Sequence, residues 1–196
     1  MNKEQLHGFI SCSDGNESNI CQIYVTKEGE TLYDACWHGF KTLDAMNVNS
    51  VTKGVIENAA GMKCIDFANE NLFRPLGLPD RIPHGDSSKE DQFDFFMNKN
   101  PRRYEWYTDP QDSVTAGWGL CMSAKDMATI GELVLNNGMY DGKRIISEEY
   151  VKEMLMPRQK LGERMGNMNY GYLWYKPYDD REVYAAIGDS GNIILH

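Results

Sequence analysis

Two β-prone runs, residues 21–26 and 31–37, open the patterned part of the chain. Both contain β-branched and aromatic residues, and they flank the short segment Lys27-Glu28-Gly29-Glu30. Two such runs separated by a few residues that include a glycine are typical of a β-hairpin. We therefore predict that the patterned region begins with a hairpin.

Helical periodicity appears in three later places. Between residues 64 and 73 apolar side chains recur with a helical period, and Pro75 prevents the helix from continuing. A second helix is predicted after Ser123, where an acid three residues later completes a capping box, and residues 136–138 end it. Ser147 is predicted to cap a third helix.

Strand-like runs return near the end of the sequence. Residues 170–176, 182–187 and 192–195 are each predicted as a strand, with turn residues between them. Residues 1–20 are polar and predict a lead-in without regular structure. Residues 79–116 show no sustained period, so we predict a long irregular loop there, either functional or simply solvated.

Composition excludes several classes of function. The chain has 196 residues, 41% of them hydrophobic, which suits one domain with a proper core. Its net charge of −9 argues against binding to nucleic acids or to anionic membrane surfaces. It contains no apolar run of the roughly 20 residues that a membrane span needs, and no apolar signal segment. We predict a cytoplasmic protein as the sequence stands, and a leader removed beforehand is compatible with it.

The cysteines predict neither disulfides nor a metal site. Five cysteines form an odd, scattered set, which favours reduced thiols in a reducing compartment. Cys36 and His38 are the one close pair of metal-ligand types, and no second pair lies at ligand spacing. We therefore predict no metal and no cofactor.

Ser50 and Lys53 are the candidate catalytic residues. Their spacing places a hydroxyl and an amine on one face of a helix. A serine becomes a nucleophile when a base removes its proton, and a lysine becomes a base when burial or positive neighbours lower its pKa. Serine-acylating enzymes use this Ser-x-x-Lys pattern. The four residues alone favour the ordinary alternative, a solvated helix start, because serine and lysine are common.

Several longer segments occur in the order seen in a known family. They are Trp37-His38-Gly39, Asn49-Ser50-Val51-Thr52-Lys53, Leu72-Phe73-Arg74-Pro75-Leu76-Gly77-Leu78, and residues 116–128, 137–146, 170–174 and 186–192. In these the chain resembles the penicillin-recognising serine hydrolases, which include class C β-lactamases, related esterases, D-alanyl-D-alanine peptidases and 6-aminohexanoate-dimer hydrolase-like enzymes. The resemblance implies an α+β fold of the β-lactamase/transpeptidase type, an antiparallel sheet flanked by helices.

The resemblance also implies a mechanism and a substrate class. Ser50 would attack the carbonyl carbon of a small-molecule or peptide-like ester or amide, with Lys53 as general base. The backbone N–H of Ser50 and one from the strand segment Gly188-Asp189-Ser190 would hold the oxyanion. Trp106 and Tyr107 are suggested as walls of the substrate pocket by their position in the long loop.

The sequence also departs from the family pattern. Too few residues lie between 54 and 71 for the helical subdomain that carries the second motif, and no Tyr-x-Asn or Ser-x-Asn occurs there. The third motif, Lys-Thr-Gly or His-x-Gly in the family, reads Ala186-Ile187-Gly188 and lacks its cation. The family's last strands and closing helix are absent. We therefore predict a single domain over residues 1–196 that is internally deleted and C-terminally shortened.

Three functional readings follow from this comparison. In the first, the chain is a serine hydrolase in which Tyr104, Tyr107, Tyr170 or a second chain replaces the missing tyrosine. In the second, it is an inactive relative that serves as a binding scaffold, and the surface bared by the deletion favours a homo-oligomer. In the third, it is an interaction module without hydrolase ancestry, which would make the ordered motifs a coincidence.

Overall fold

The computed structural model describes residues 21–47, 63–85, 88–97, 99, 101–109, 113–115, 117–188 and 191–196. The predicted lead-in and the catalytic pair lie outside these residues. In the described part of the chain, short helices pack against small sheets around two hydrophobic clusters.

The N-terminal hairpin is confirmed. Strands β1 (Gln22–Lys27) and β2 (Glu30–Cys36) pair antiparallel and are joined by two residues. Glu28 and Gly29 both have positive φ angles, of 51° and 78°. Two successive residues of this kind form the tight turn whose twist matches the twist of the flanking strands.

The predicted helices are present, and their predicted caps are confirmed. Helix α1 (Cys64–Ala68) continues into a π-helical turn over Asn69–Phe73, and the remaining helices are α2 (Lys89–Phe96), α3 (Ala124–Leu135) and α4 (Glu148–Leu155). The Ser123 hydroxyl accepts from the Asp126 N–H in a complete capping box, and the Ser147 hydroxyl accepts from the Tyr150 N–H. These bonds satisfy N–H groups that have no partner within the helix.

The predicted irregular loop over residues 79–116 instead contains regular structure in part of its described residues. It contains helix α2 and a parallel pair formed by strands β4 (Ile82–His84) and β5 (Glu105–Tyr107). Sequence periodicity missed the helix because Phe95 is its one buried side chain, while Phe93 and Phe96 are exposed. Strands of three residues are too short to show an alternating pattern.

The C-terminal strands build the largest sheet of the described residues. It has the antiparallel order β13-β12-β11-β10-β9, and its strands are β9 (Gln159–Lys160), β10 (Asn169–Tyr170), β11 (Tyr175–Lys176), β12 (Ala185–Ile187) and β13 (Ile193–Leu195). The predictions over residues 182–187 and 192–195 are confirmed. Ile193 and Leu195 are exposed on β13, which lies at one edge of this sheet.

The prediction of a single strand over residues 170–176 is wrong. The chain folds back on itself, and β10 pairs with β11. The turn packs against the end of α4, where the Tyr172 N–H donates to the Met154 carbonyl at 2.9 Å. Gly171 lies so close that a β-carbon there would be 2.5 Å from the same carbonyl oxygen. Only glycine therefore allows the chain to fold back here. The prediction missed this turn because the residues around Gly171 are typical of a strand.

Four further strands complete the described sheets. Strand β3 (Met46–Asn47) pairs antiparallel with β6 (Cys121–Met122), and β7 (Met139–Tyr140) pairs with β8 (Lys143–Arg144). The larger hydrophobic cluster contains most of the fully buried large side chains: Phe73, Trp106, Leu120, Met122, Leu133, Val151 and Trp174. Helix α3 joins this cluster to β13, because Ile194 packs directly on Gly131.

A buried ion pair connects the first helical segment to α3. The Arg81 guanidinium donates to an Asp126 carboxylate oxygen at 3.1 Å, and the side chains are 0% and 6% exposed. The guanidinium lies 4.4 Å above the Phe73 ring. Asn69 accepts from the backbone N–H of Arg81 and donates to its carbonyl, at 2.7 and 2.9 Å. Burial lowers the pKa of the Arg81 guanidinium, and Asp126 opposes that shift.

We expect Asp126→Ala to lower the free energy of unfolding by about 3–5 kcal/mol, because it leaves the Arg81 charge buried without a partner. Urea denaturation measures this loss. Asp80→Ala is the matched control, since it breaks the exposed ion pair with Arg74 and should change stability far less. Similar losses in the two variants would contradict the importance of the buried pair.

His196 gives stability a second, pH-dependent contribution. Its ring stacks on Tyr184 and meets the edge of Trp174, and burial lowers the pKa of its imidazole to about 4. The unfolded chain, with a histidine pKa of about 6.5, therefore binds more protons than the folded chain between these values. The stabilisation is complete above pH 6.5 and is lost as the pH falls towards 4.

We expect the wild-type protein to lose about 2–3 kcal/mol more stability than His196→Phe when the pH falls from 7 to 4.5, since phenylalanine keeps the ring but does not titrate. Urea denaturation at the two pH values measures the difference. Equal losses in the two proteins would show that His196 does not titrate in this window.

Candidate functional site

The structure describes the surroundings of the predicted site rather than its centre. Ser50 and Lys53, and Asp189 and Ser190, lie outside the described residues. What is described is the strand that leads towards Ser50, the end of the strand that reaches Gly188, and the aromatic residues suggested as pocket walls.

The chain that approaches Ser50 is held from two sides. Ala45 and Arg102 exchange both backbone hydrogen bonds, at 3.1 and 2.8 Å. Strand β3 follows at once, and Asn47 lies opposite Cys121 of β6. Ala45 and Cys121 are fully buried in the second hydrophobic cluster. The backbone is therefore held at both ends of the stretch from Ala45 to Asn47, where this described range ends.

At the other predicted wall, Gly188 is buried and ends β12. Its N–H donates to the Asn192 carbonyl at 2.8 Å, which closes the connection to β13. Ala186, at the position of the family's cation, is 1% exposed and packs in the larger cluster. This position therefore belongs to the core and carries no charge.

Trp106 and Tyr107, the suggested pocket walls, are both buried. Trp106 is 0% exposed in the larger cluster, and its indole N–H donates to the Thr115 carbonyl at 3.1 Å. The Tyr107 ring stacks on Trp118 with centroids 4.5 Å apart, and its hydroxyl accepts from the Gln92 amide at 2.8 Å. The structure places both side chains in the packing that supports β5, and contact with a substrate stays a prediction for both.

The other candidate tyrosines have different surroundings. Tyr104 has a φ of 56°, and its ring lies 5.3 Å from the Arg81 guanidinium. The Tyr170 ring packs on Tyr175 with centroids 4.7 Å apart, and burial raises the pKa of the Tyr170 hydroxyl. Tyr170 is therefore a phenol that keeps its proton, which suits a donor rather than a base.

A charged cluster that sequence reasoning missed lies beside the approach to Ser50. His84 Nδ1 lies 3.1 Å from a Glu105 carboxylate oxygen, and that oxygen also accepts from Arg102 at 3.3 Å. Asp91 is 3.7 Å from His84 Nε2, and the imidazole stacks on Phe95. Only the parallel pairing of β4 with β5 brings these residues together, so no local sequence signal could identify them.

His84 and Glu105 form a histidine–carboxylate pair of the kind that can hold one imidazole tautomer, with the proton on Nδ1.

Among the described residues, no group of three or more His, Cys, Asp or Glu side chains could hold a metal ion. Among the described cysteines, Cys36, Cys64 and Cys121 are free thiols. None of the helices in the described ranges is long and apolar enough to cross a membrane.

Two solved structures resemble this chain. A protein from Bacillus anthracis described as a 6-aminohexanoate-dimer hydrolase matches with a TM-score of 0.57 and 14% sequence identity, over 95% of this chain and 74% of that chain. The octameric penicillin-binding protein homologue from Pyrococcus abyssi matches with a TM-score of 0.41 and 19% identity, over 64% of this chain and 28% of that chain. No family model and no curated protein sequence matches the chain.

The chain therefore has the α+β fold of the penicillin-recognising serine hydrolases, in a reduced form. The resemblance predicted from the ordered sequence motifs is confirmed at the level of the fold. A likeness at 14% identity establishes the architecture and not the chemistry, because one fold hosts many activities.

The packing of Tyr107 depends on a glycine, and this gives a test of the site's scaffold. Gly119 has a φ of 91°, and a β-carbon there would lie 2.6 Å from the Tyr107 β-carbon. We expect Gly119→Ala to lose roughly 3 kcal/mol of stability, from the left-handed backbone and the collision together. It should also change the near-ultraviolet circular dichroism of the Tyr107–Trp118 stack.

Gly142→Ala is the control for backbone strain alone. Gly142 has a φ of 71°, and nothing lies within 4 Å of its added β-carbon. Its loss of stability should be roughly 1–2 kcal/mol, without a spectral change. Equal losses in the two variants would rule out the close contact at Tyr107.

Proposed function

We propose that this protein is a serine hydrolase that cleaves an ester or amide through an acyl-enzyme on Ser50. The observation that supports this best is how firmly β3 is held, because Asn47 at its end lies three positions before Ser50 in the sequence. The position of β3 is set by hydrogen bonds from Ala45 to Arg102 and by pairing with β6. A nucleophile needs a backbone held in this way, because small displacements cost rate.

In this mechanism Lys53 takes the proton of the Ser50 hydroxyl as its oxygen attacks the carbonyl carbon. The Ser50 N–H and an N–H from Asp189 or Ser190 would hold the oxyanion. Gly188 itself is a poor candidate for that second donor, since its N–H already bonds to Asn192. Lys53 would then protonate the leaving group, and water would release the acyl group.

The proposed substrate is a small-molecule or peptide-like ester or amide. The Bacillus anthracis protein is described as a hydrolase of a 6-aminohexanoate dimer, which is joined by an amide bond. The proposed location is the cytoplasm, which the free thiols of Cys36, Cys64 and Cys121 support. The proposed replacement for the missing tyrosine is Tyr104, Tyr107 or Tyr170, or a second chain that completes the site.

One observation favours the alternative, an inactive binding scaffold. Ala186 places a buried methyl group in the core where the family has a cation. With alanine at this position, the proposed site lacks a positive charge that would otherwise stabilise the developing oxyanion or bind the substrate. In that reading Ser50 is inert.

We expect a fluorophosphonate probe to form one covalent adduct on Ser50. The Ser50 oxygen forms a bond to phosphorus, fluoride leaves and Lys53 takes the proton. Intact mass spectrometry measures the adduct, and Ser50→Ala should abolish it. Ser113→Ala removes an exposed serine hydroxyl elsewhere and should label like the wild type. A folded wild-type protein that forms no adduct would support the scaffold instead.

A further inference from the structure

The Gln22 carboxamide joins three separate parts of the chain. Its Nε2 donates to the carbonyls of Lys41 and Asp44, at 2.6 and 2.8 Å. Its Oε1 accepts from the N–H of Ala124 at 2.9 Å, across 102 residues of sequence. Both amide protons and the carbonyl oxygen are therefore used, and one half-buried side chain of β1 holds a turn and the start of α3.

The segment from Lys41 to Asp44 is a stiff unit. The Asp44 N–H donates to the Lys41 carbonyl at 2.9 Å, and the Lys41 N–H donates to an Asp44 carboxylate oxygen at 2.8 Å. Gln22 therefore binds a preformed turn through two carbonyls whose separation is fixed. A shift of the turn as a whole would break both bonds at once.

The other hydrogen-bond partner of Gln22 is a backbone N–H at the start of α3. Ala124 is the first residue of α3, and its N–H has no acceptor within the helix. The Ser123–Asp126 capping box satisfies two other N–H groups of this end. Gln22 completes the cap, so its position and that of the helix start are coupled.

The two groups that Gln22 holds lie at the same end of one strand pair. Strands β3 and β6 are antiparallel, with Met46 opposite Met122 and Asn47 opposite Cys121. The chain before β3, at Asp44, therefore lies beside the chain after β6, at Ala124. Gln22 closes this end of the pair, and the chain beyond Asn47 leaves from the other end.

We propose that Gln22 is a positioning residue that fixes the register of β3 on β6 and, through β3, the backbone from which the Ser-x-x-Lys segment starts. The effect on catalysis rests on the proposed function of Ser50. The effect on the register of β3 does not rest on it, so an experiment can refute either effect without the other. A two-residue ladder holds its register weakly by itself, which is why an external tie matters here.

The test uses two variants of Gln22 and one control. Gln22→Met keeps the length of the side chain and removes all three hydrogen bonds. Gln22→Glu keeps an acceptor for the Ala124 N–H and loses the donor to the turn. Tyr24→Phe is the control, because it removes the bond between Tyr24 and Thr31 in the same hairpin without touching residues 41–44.

Hydrogen exchange decides the structural part. We expect faster exchange over residues 44–47 and 121–122 in both Gln22 variants, and faster exchange at 124 only in Gln22→Met. Tyr24→Phe should exchange like the wild type in these segments. Unchanged exchange at 44–47 in both Gln22 variants would overturn the proposal. If Gln22→Met does not fold, Gln22→Glu still decides between these results.

The rate of fluorophosphonate labelling decides the catalytic part. We expect the maximal rate at Ser50 to fall by ten- to a hundredfold in both Gln22 variants, while the probe concentration at half-maximal rate changes little. A folded variant with faster exchange but a wild-type labelling rate would overturn the link to the nucleophile. A wild type that does not label at all would refute the proposed function, and the exchange result would still judge the register.

Discussion

The burial of the Arg81 charge is the constraint on which the described structure depends. Its guanidinium is out of contact with water, so it must have a partner, and Asp126 is that partner. Because Asp126 also belongs to the capping box of α3, the charge ties the π-helical segment, through Asn69, to the start of that helix. Arg81 immediately precedes β4, so the same contact sets where the parallel strand pair begins. One buried charge therefore determines the relative positions of three elements that are far apart in sequence.

The position of β3, the strand before the candidate nucleophile in the sequence, depends on the same contacts. Ser123, at the start of α3, directly follows β6, and β6 is the strand on which β3 pairs. From the other side, β5 continues the parallel pair and Arg102, just before it, bonds to Ala45. The buried charge therefore supports the start of α3 and the parallel strand pair, and these in turn support the pair formed by β3 and β6. This order explains why Gln22, on a distant hairpin, can influence the same backbone.

Sequence reasoning succeeded where the signal is local and failed where it is not. The hairpin turn at Glu28 and Gly29 and the capping box at Ser123 depend on residues within four positions of each other, and both are as predicted. The ion pair from Arg81 to Asp126 spans 45 residues, and the cluster around His84 exists only because β4 and β5 run parallel. The fold-back at Gly171 was missed for another reason. Its strand-like neighbours mask a close approach to α4 that only the packed helix imposes. The prediction that Ser50 is a nucleophile depends on the flanks of its motif, because four residues alone are not specific, and it stays a prediction.

The loss of the family's cation changes the demands on the rest of the proposed site. Ala186 is not an empty position, since it packs in the larger cluster beside β13. Placing a lysine there would bury a charge without a partner, at a cost of several kcal/mol. In the described structure Ala186 serves core packing, at the position where the sequence resemblance implies a cation. A hydrolase built in this way must rely on Lys53, on backbone donors and on accurate placement of Ser50. The hydrogen bonds from Gln22 and Arg102 can supply this placement. Activity in the proposed hydrolase would therefore depend on the contacts that hold β3.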